Sequence, residues 1–525
     1  MKKTPTSARQ RPSQPLCLTG KERHRREGHG LLFAVYAPFG TDPALSGFPD
    51  DKRKPIAQQP LLAHLRAVAA HGVNVAALID LFDDDTWLVE IPAFRPQDTS
   101  VLSAWKQAMH RPQALAGFLR RAHQRFPCSD LVLALEGHGA GFLPEIDGHR
   151  ITPASTTEGA GVQVRWEIDD RRNVPVDPGT GLPILSVSGL TELPVECPDG
   201  LPITLPLSTW AVAQALAMAR KAGVPKPAVV HFDNCFNMAL EHLHTLVPHA
   251  EVATGYANYN YFTAGLAYPA LFERLRLQGP VTAEEFGRWF AEANHVPLLA
   301  KGFHPGVGAS LPLKRVRKVA DALEAMARAL TVALRADRAT NHPLIQKSIV
   351  DALQYDSNGD FRLDVPDQQT DLGTWAKCLR AAYPTGAVHD TATALEAALQ
   401  GAQVYGDADS PHMDTTQRWD FSNPAVAMNI LLPDPGCSGL FDWRTPYYMV
   451  GVVNPTKAPA LKAQIPFLAD RTGGARAPWP EFLDEYHRDT KFAGLLRIPP
   501  FVFPRFEPKF EPPAPNPTGK PGTVG

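Results

Sequence analysis

The sequence predicts an α/β protein in which a mostly parallel sheet is covered by helices on both faces. Near-continuous apolar runs of strand length recur along the first half of the chain, as in strands buried on both sides. Between them lie longer segments with apolar residues at helical spacing. Pro38 and Gly72 fall where a strand must stop and where a helix is capped.

Taken in order, "LLFAVYA" (31–37) is a strand closed by Pro38, and "PLLAHLRAVAAH" (60–71) a helix capped by Gly72. "VNVAALID" (73–80) reads as a buried strand ending in acidic Asp83, Asp84 and Asp85. "LAGFLRRAHQRF" (115–126) is a helix and "LVLALE" (131–136) a strand. After residues 143–207, whose repeated Pro and Gly mark an irregular insertion, "TWAVAQALAMARKAG" (209–223) is a helix and "AVVHFD" (228–233) a strand. Strands alternating with helices give a parallel sheet. Ligands of such sheets bind beyond the carboxyl ends of the strands.

A single core rarely grows beyond about 250–300 residues, so a chain of 525 residues predicts two or three domains. The expected division is a basic disordered tail over 1–30, an α/β domain over 31–300, a C-terminal α+β accessory domain over 301–498, and a Pro-rich disordered tail over 499–525. "VRKVADALEAMARALTVAL" (316–334) is the strongest amphipathic helix of the accessory domain. The last tail fits nothing more regular than extended polyproline structure.

Composition excludes several classes of function. A formal net charge of −2 lacks the basic surplus of a nucleic-acid binder. No run of about 18 apolar residues marks a membrane span. The six cysteines form no CxxC pair, so a zinc knuckle or a disulfide framework is not indicated and a reducing compartment is. The basic N-terminus is not followed by the apolar segment of a signal peptide, which leads to the expectation of a cytoplasmic protein.

Two stretches carry chemistry. "LVLALEGHGAGF" (131–142) delivers His138 into a cluster of glycines at a strand end, and "AVVHFDNCFNMALEHL" (228–243) places Cys235 just beyond another. A cysteine at the start of a helix feels the positive end of its dipole, which favours the thiolate. A histidine on a neighbouring strand end would take the thiol proton, the nucleophile-plus-base arrangement of a cysteine hydrolase. The amides of Gly139 and Cys235 would then hold an oxyanion. The bland alternatives stand beside this: a cysteine as a small buried residue, and a histidine like those of the His-Gly pairs at 29–30 and 71–72. Asp233, next to an expected helix start, is equally readable as an N-cap.

Together the two stretches resemble the clostripain-like peptidases, family C11 of the caspase-like cysteine proteases. "LLFAVYAPFGTDPAL", "VNVAALIDLFDD", "TDLGTWAKCL" (370–379), "AVAMNILLP" (425–433) and "PWPEFLDEY" (478–486) resemble further landmarks of that family in the same order, from about residue 31 to 490. The resemblance implies a caspase-like fold and peptide-bond hydrolysis through a thioester, with Cys235 as nucleophile and His138 as general base and acid. It implies Asp233 on the floor of a pocket selecting Arg or Lys, where a carboxylate binds guanidinium in a charge-assisted, bidentate way. The chain departs from the pattern where Ser-Glu is usual: it has Thr254-Gly255, so a second pocket acid is not evident. The Asp-Asn-Asn after the first strand is also missing, Met238 is shifted, and the 143–207 insertion lengthens the His–Cys separation. That insertion lies where relatives cut themselves, and "DDRRNVP" with Arg165, Arg171 and Arg172 is a candidate processing site or a plain surface insertion.

The expected partner is a protein or peptide substrate, with no nucleic acid and no membrane. Phe501, Phe503, Phe506 and Phe510 in the tail either recruit a protein partner or pack on the chain itself. Two other functions remain open: a non-hydrolytic caspase-like scaffold, and a caspase-like protease of a defence or cell-death system activated by a partner. No cofactor or metal is required. "DSNGDFRLD" (356–364) continuing to Asp367 has EF-hand-like oxygen spacing, but Phe361 stands where glycine belongs, so a polar turn is preferred to a calcium site. On a helix His242 and His244 point about 200° apart and cannot chelate one ion.

Overall fold

The computed structural model describes residues 16–18, 30–40, 56–81, 85–105, 109, 111–137, 139, 141–142, 151–158, 161–168, 207–258, 260, 265–300, 307–355, 368–408, 428–433, 448–449, 452, 466–469, 475–490 and 501–502. The strands are β1 (Gly30–Gly40), β2 (Asn74–Leu81), β3 (Asp85–Ile91), β4 (Ser100–Trp105), β5 (Cys128–Glu136), β6 (Ile151–Glu158), β7 (Gly161–Ile168), β8 (Val229–Asp233), β9 (Val252–Tyr256), β10 (Val307–Pro312), β11 (Gln354–Tyr355), β12 (Gln369–Asp371), β13 (Tyr405–Ala408), β14 (Asn429–Leu431) and β15 (Phe501–Val502). The helices are α1 (Pro60–Ala70), α2 (Pro112–Arg125), α3 (Thr209–Lys221), α4 (Leu240–Leu246), α5 (Tyr268–Gln278), α6 (Ala283–Ala300), α7 (Leu313–Ala336), α8 (Arg338–Asp351), α9 (Leu372–Ala382), α10 (Ala387–Ala402) and α11 (Pro478–His487).

The main sheet has nine strands in the order β13-β10-β9-β8-β5-β1-β2-β3-β4. Its centre, β9-β8-β5-β1-β2, is parallel throughout. The wings add antiparallel pairs at each side, β2 with β3 and β3 with β4, and β9 with β10 and β10 with β13. The α/β class and the mostly parallel sheet are therefore as expected. The wings were not: β3 begins at Asp85 and pairs antiparallel with β2, so the chain turns back where its strand pattern had been expected to end.

Alternation along β1 separates two cores. Leu32, Ala34 and Tyr36 enter one buried cluster, and Leu31, Phe33 and Val35 the other. On the second face α5 and α6 build an aromatic layer in which Phe33 lies 5.0 Å from Tyr268 and 4.9 Å from Phe272. Each such ring pair contributes about 0.5–1.5 kcal/mol beyond area burial. On the first face Phe118 of α2 and Leu216 of α3 share one cluster with Leu323 of α7, Trp375 of α9 and Trp479 of α11.

The expected division into domains changes in four places. Residues after 301 supply β10 and β13 to the main sheet, and α7, α9, α10 and α11 join its core cluster. No core boundary falls at residue 301 among the described residues, because the apolar face of α7 is buried against α4, α10 and α11 within that cluster. Within the expected tail 1–30, Leu16 and Leu18 are buried: Leu16 bonds with the backbones of Gly72 and Leu31, and the Leu18 amide donates to Asp130 at 3.1 Å. The irregular insertion contains a hairpin of β6 and β7. The Pro-rich tail contributes β15, which pairs with β7 at Phe501–Trp166 and Val502–Arg165.

Candidate functional site

β5 and β8 are parallel neighbours, with Glu136 opposite Asp233, so their carboxyl ends open side by side. Beyond β5 the chain turns at Gly137, whose φ of +94° is costly for a residue with a side chain. His138 lies outside the described residues, but the glycine after it does not. A Cβ on Gly139 would stand 2.0 Å from the carbonyl oxygen of Cys235 and 2.8 Å from its nitrogen. Only a bare backbone fits there. The two stretches picked out by sequence thus meet, and the residue adjoining His138 touches the backbone of Cys235. Neither the Gly139 nor the Cys235 amide donates to another group among the described residues.

The Cys235 loop differs from expectation. No helix begins at Cys235: α4 starts at Leu240, is seven residues long, and has Ala239 at its N-cap position. The dipole argument for a thiolate therefore falls, as does the N-cap role of Asp233. The loop is instead held by hydrogen bonds. Asn234 Nδ2 donates to the Leu135 carbonyl at 3.2 Å, the Phe236 amide to the Asn258 carbonyl at 3.0 Å, and the Met238 amide to the Tyr256 carbonyl at 3.1 Å. Phe236 takes a φ of +61°, a left-handed conformation that a non-glycine residue holds only when its surroundings enforce it. Asn429 of β14 supplies much of that enforcement, donating through Nδ2 to the carbonyls of Phe236 at 3.1 Å and Ala257 at 2.8 Å.

Cys235 Sγ faces the backbone of Asn260, accepting from its amide at 3.4 Å and lying 3.6 Å from its carbonyl. Burial pushes the thiol up to about 12, the Asn260 amide opposes this, and the charge of Asp233 adds to it. No helix dipole is there to lower it, so the helix-end argument for a thiolate has no counterpart in the structure.

Asp233 lies beneath Cys235 and is 1% exposed. Its Oδ1 accepts from Asn260 Nδ2 and, at 3.4 Å, from Asn294 Nδ2, while Oδ2 accepts from the Tyr268 hydroxyl at 3.2 Å. Asn260 thus joins the thiol to the carboxylate, and nothing in "ANYNYF" marks it beforehand. His231, also fully buried, is driven down to about 4 by burial, with Asp233 opposing. Neutral, it accepts from Asn294 Nδ2 at 3.2 Å and shares a 2.7 Å bond with Thr254 Oγ1. Thr254-Gly255, the departure from Ser-Glu, is explained by space: a Cβ on Gly255 would lie 2.9 Å from the Phe232 Cβ.

The C-terminal landmarks support these loops. Phe142 stacks edge-on against Tyr448 at 4.9 Å, Tyr448 accepts from Trp479 Nε1 at 2.9 Å, and Gly141 packs against Gln369 of β12. Glu241 accepts from the Leu431 amide at 2.9 Å, tying α4 to β14. His242 and His244 face different neighbours, Phe232 and Phe467, as their helical spacing requires. Residues 356–367 lie outside the described residues, and among the described residues no group of three His, Cys, Asp or Glu side chains converges to hold a metal. No described helix is long and apolar enough to cross a membrane. Arg165 sits inside β7 with Ala154 opposite on one side and Val502 on the other, a paired strand that a protease cannot thread; Arg171 and Arg172 lie outside the described residues.

No protein-family profile and no curated protein matches the chain. Solved structures similar to it include C11 cysteine proteases. A secreted C11 cysteine protease of Bacteroides thetaiotaomicron, "iotapain", shares 12% identity at a TM-score of 0.48, covering 77% of this chain and 93% of that one. A secreted C11 protease of the same organism in complex with an irreversible peptide inhibitor shares 11% identity at 0.49, covering 78% and 95%. An inactive zymogen C11 protease from Parabacteroides distasonis shares 12% at 0.47, covering 77% and 92%.

Proposed function

We propose that the chain is a cysteine endopeptidase in which Cys235 is the nucleophile and His138 the general base and acid. The observation that carries this is the contact between Gly139 and the backbone of Cys235 at the carboxyl ends of adjacent parallel strands. In the reaction, His138 takes the Cys235 proton as sulfur attacks the scissile carbonyl carbon. The oxyanion forms beside the Gly139 and Cys235 amides, whose preorganised donors act where charge develops. The protonated histidine returns its proton to the departing amine, leaving a thioester. Water, deprotonated by the same histidine, then releases the acid and the free thiol. A thiol pushed up in this way favours proton transfer and attack occurring together over a stored ion pair. Asp233 supplies the negative charge for an Arg or Lys side chain before the scissile bond, once Asn260 yields its place.

The test is hydrolysis of fluorogenic peptides varied only before the scissile bond, by wild type and Cys235→Ala. Cleavage after Arg or Lys that the substitution abolishes supports the whole reading. Cysteine-dependent cleavage after other residues keeps the mechanism and removes the pocket. The raised thiol, engaged by the Asn260 backbone, favours a resting form that needs an activator. Turnover appearing only after added protein partner or limited proteolysis would select that form, and turnover by the untreated chain would reject it.

A further inference from the structure

At the amino ends of the central strands the fold leaves a cavity of about 790 Å³. Ligand pockets span roughly 300–1,000 Å³, so the space suffices for a small organic molecule. Ala228, Ala250 and Val252, around the starts of β8 and β9, give it an apolar lining. Charged groups stand about this lining: Lys226 before β8, Lys314 and Arg317 of α7, Asp130 of β5, Glu251 before β9 and Glu284 of α6. Cys235 lies beyond the opposite end of β8, on the order of 20 Å away at the rise of a strand.

The charges do not cancel. α7 opens Leu313-Lys314-Arg315-Val316-Arg317-Lys318, four cations with no acid in the first turn, and Pro312 at its N-cap position offers no side-chain bond. A helix start carries the positive end of the dipole, where acids stabilise and cations do not. α7 therefore breaks a local rule beside a cavity, and such breaks are expected at functional sites. Glu284 answers two of the four cations, Lys314 at 2.7 Å and Arg315 at 2.9 Å. Neither Arg317 nor Lys318 forms an ion pair among the described residues. Asp130 is 1% exposed and engaged by the Leu18 amide at 3.1 Å and the Ser129 hydroxyl at 3.2 Å.

The α4 side of the cavity registers the same surplus. Burial first, then the charges of Lys226 and Arg220, holds His249 below its usual value. Burial first, then Arg317, brings His244 down to about 4, with Asp321 opposing. With Arg220, Arg315, Lys318 and Asp321 added to the lining residues, six cations meet four acids among the described residues. The surplus is two positive charges.

We propose that this cavity binds an organic dianion, a phosphate monoester or a dicarboxylate, with its apolar body against Ala228, Ala250 and Val252 and its head towards Arg317 and Lys226. A guanidinium meets such a head in a charge-assisted, bidentate way, and the head supplies the negative charge that the start of α7 lacks. No cysteine, serine or histidine is among the described residues lining the cavity, so it is a binding site and not a second catalytic one. The proposal goes beyond the peptidase reading and does not depend on it.

The experiment is calorimetric titration of the full wild-type chain near pH 7.5 with phenyl phosphate and with phenylmalonate. Phenol, inorganic phosphate and benzylamine are the controls. At least one dianion is expected to bind saturably, one per chain, and about tenfold tighter than any control. The tighter of the two dianions identifies the head group. Arg317→Glu is expected to weaken that binding about tenfold. The same variant should raise the melting temperature of the free chain, because it puts an acid near a helix start. Unchanged affinity in Arg317→Glu overturns the site, as does the absence of saturable binding by either dianion at millimolar concentration. Benzylamine binding as tightly as the dianions overturns the charge assignment, and inorganic phosphate doing so overturns the apolar body. If Arg317→Glu fails to fold, Lys226→Glu decides by the same loss of affinity. Cys235→Ala must bind the dianion as wild type does. Loss of binding there would place the probe at the catalytic loop and refute the proposal, whereas peptide hydrolysis stands or falls by its own assay.

Discussion

The exits of β5 and β8 lie side by side in one sheet yet are held in opposite ways. After β5 the chain is fixed by side chains that are absent: Gly137 and Gly141 take positive φ, and Gly139 leaves room for the Cys235 carbonyl. After β8 it is fixed by side chains that are present, as Asn234 and Asn429 bond to backbone carbonyls and Phe236 is forced into a left-handed conformation. Adding atoms should therefore damage the first exit, and removing them the second. The glycine exit sets how closely the two strand ends approach, and the asparagine exit sets the course of the Cys235 loop.

The comparison breaks most completely at its two reactive ends. His138→Ala and Cys235→Ala are each expected to lower kcat about 10³-fold or more, and the double variant no further, because residues acting as one unit are not additive. Additive losses in steady-state kinetics would mean that the two exits do not cooperate. Next in size, Gly139→Ala forces a Cβ against the Cys235 carbonyl. Overpacking of this kind costs about 1–3 kcal/mol, so a lowered melting temperature with activity down about tenfold or more is expected. An unchanged variant would show that the exits do not touch.

Asn429→Ala removes two bonds to the Cys235 side of the site and strands buried carbonyls. Leaving such groups unpaired costs about 1–3 kcal/mol, to be read from the denaturant midpoint. The loss should be matched by faster alkylation of Cys235 as its loop loosens. The smallest effect sharpens the electrostatic side. With the thiol at about 12, the thiolate fraction is small at neutral pH and rises about tenfold per pH unit. Iodoacetamide should therefore react with Cys235 at a rate climbing steadily from pH 6 to 10 without a plateau. A plateau with its midpoint below pH 7 would reveal a stored thiolate paired with His138.

Much of this was legible beforehand because it depends on local pattern. The five central strands are apolar on both faces, so their runs stand out, and the helices between them follow from spacing and caps, as with α1 and the Gly72 that follows it. The wings escaped because β3 and β4 return as antiparallel neighbours, and β10 and β13 come from beyond the expected domain boundary. The helix-end argument for a thiolate failed for a related reason: a cysteine followed by a helical pattern does not reveal that four residues separate it from Leu240. Asn260 and Asn429 carried no signal, since an asparagine becomes a clamp only when distant backbone is brought to it.

The sequence by itself determined the α/β class, the strand ends before Gly137 and Cys235, and the glycines between which nothing bulky fits. These are consequences of side-chain volume, polarity and φ preference, which act over a few residues. The tertiary structure alone decided that Gly139 rests on Cys235, that the half-buried thiol faces the Asn260 backbone, and that Glu136 stands opposite Asp233 under one tyrosine. Those are matters of register and burial. They arise only when separate strands are aligned and water is excluded, because the cost of a buried charge depends on which groups the fold places beside it.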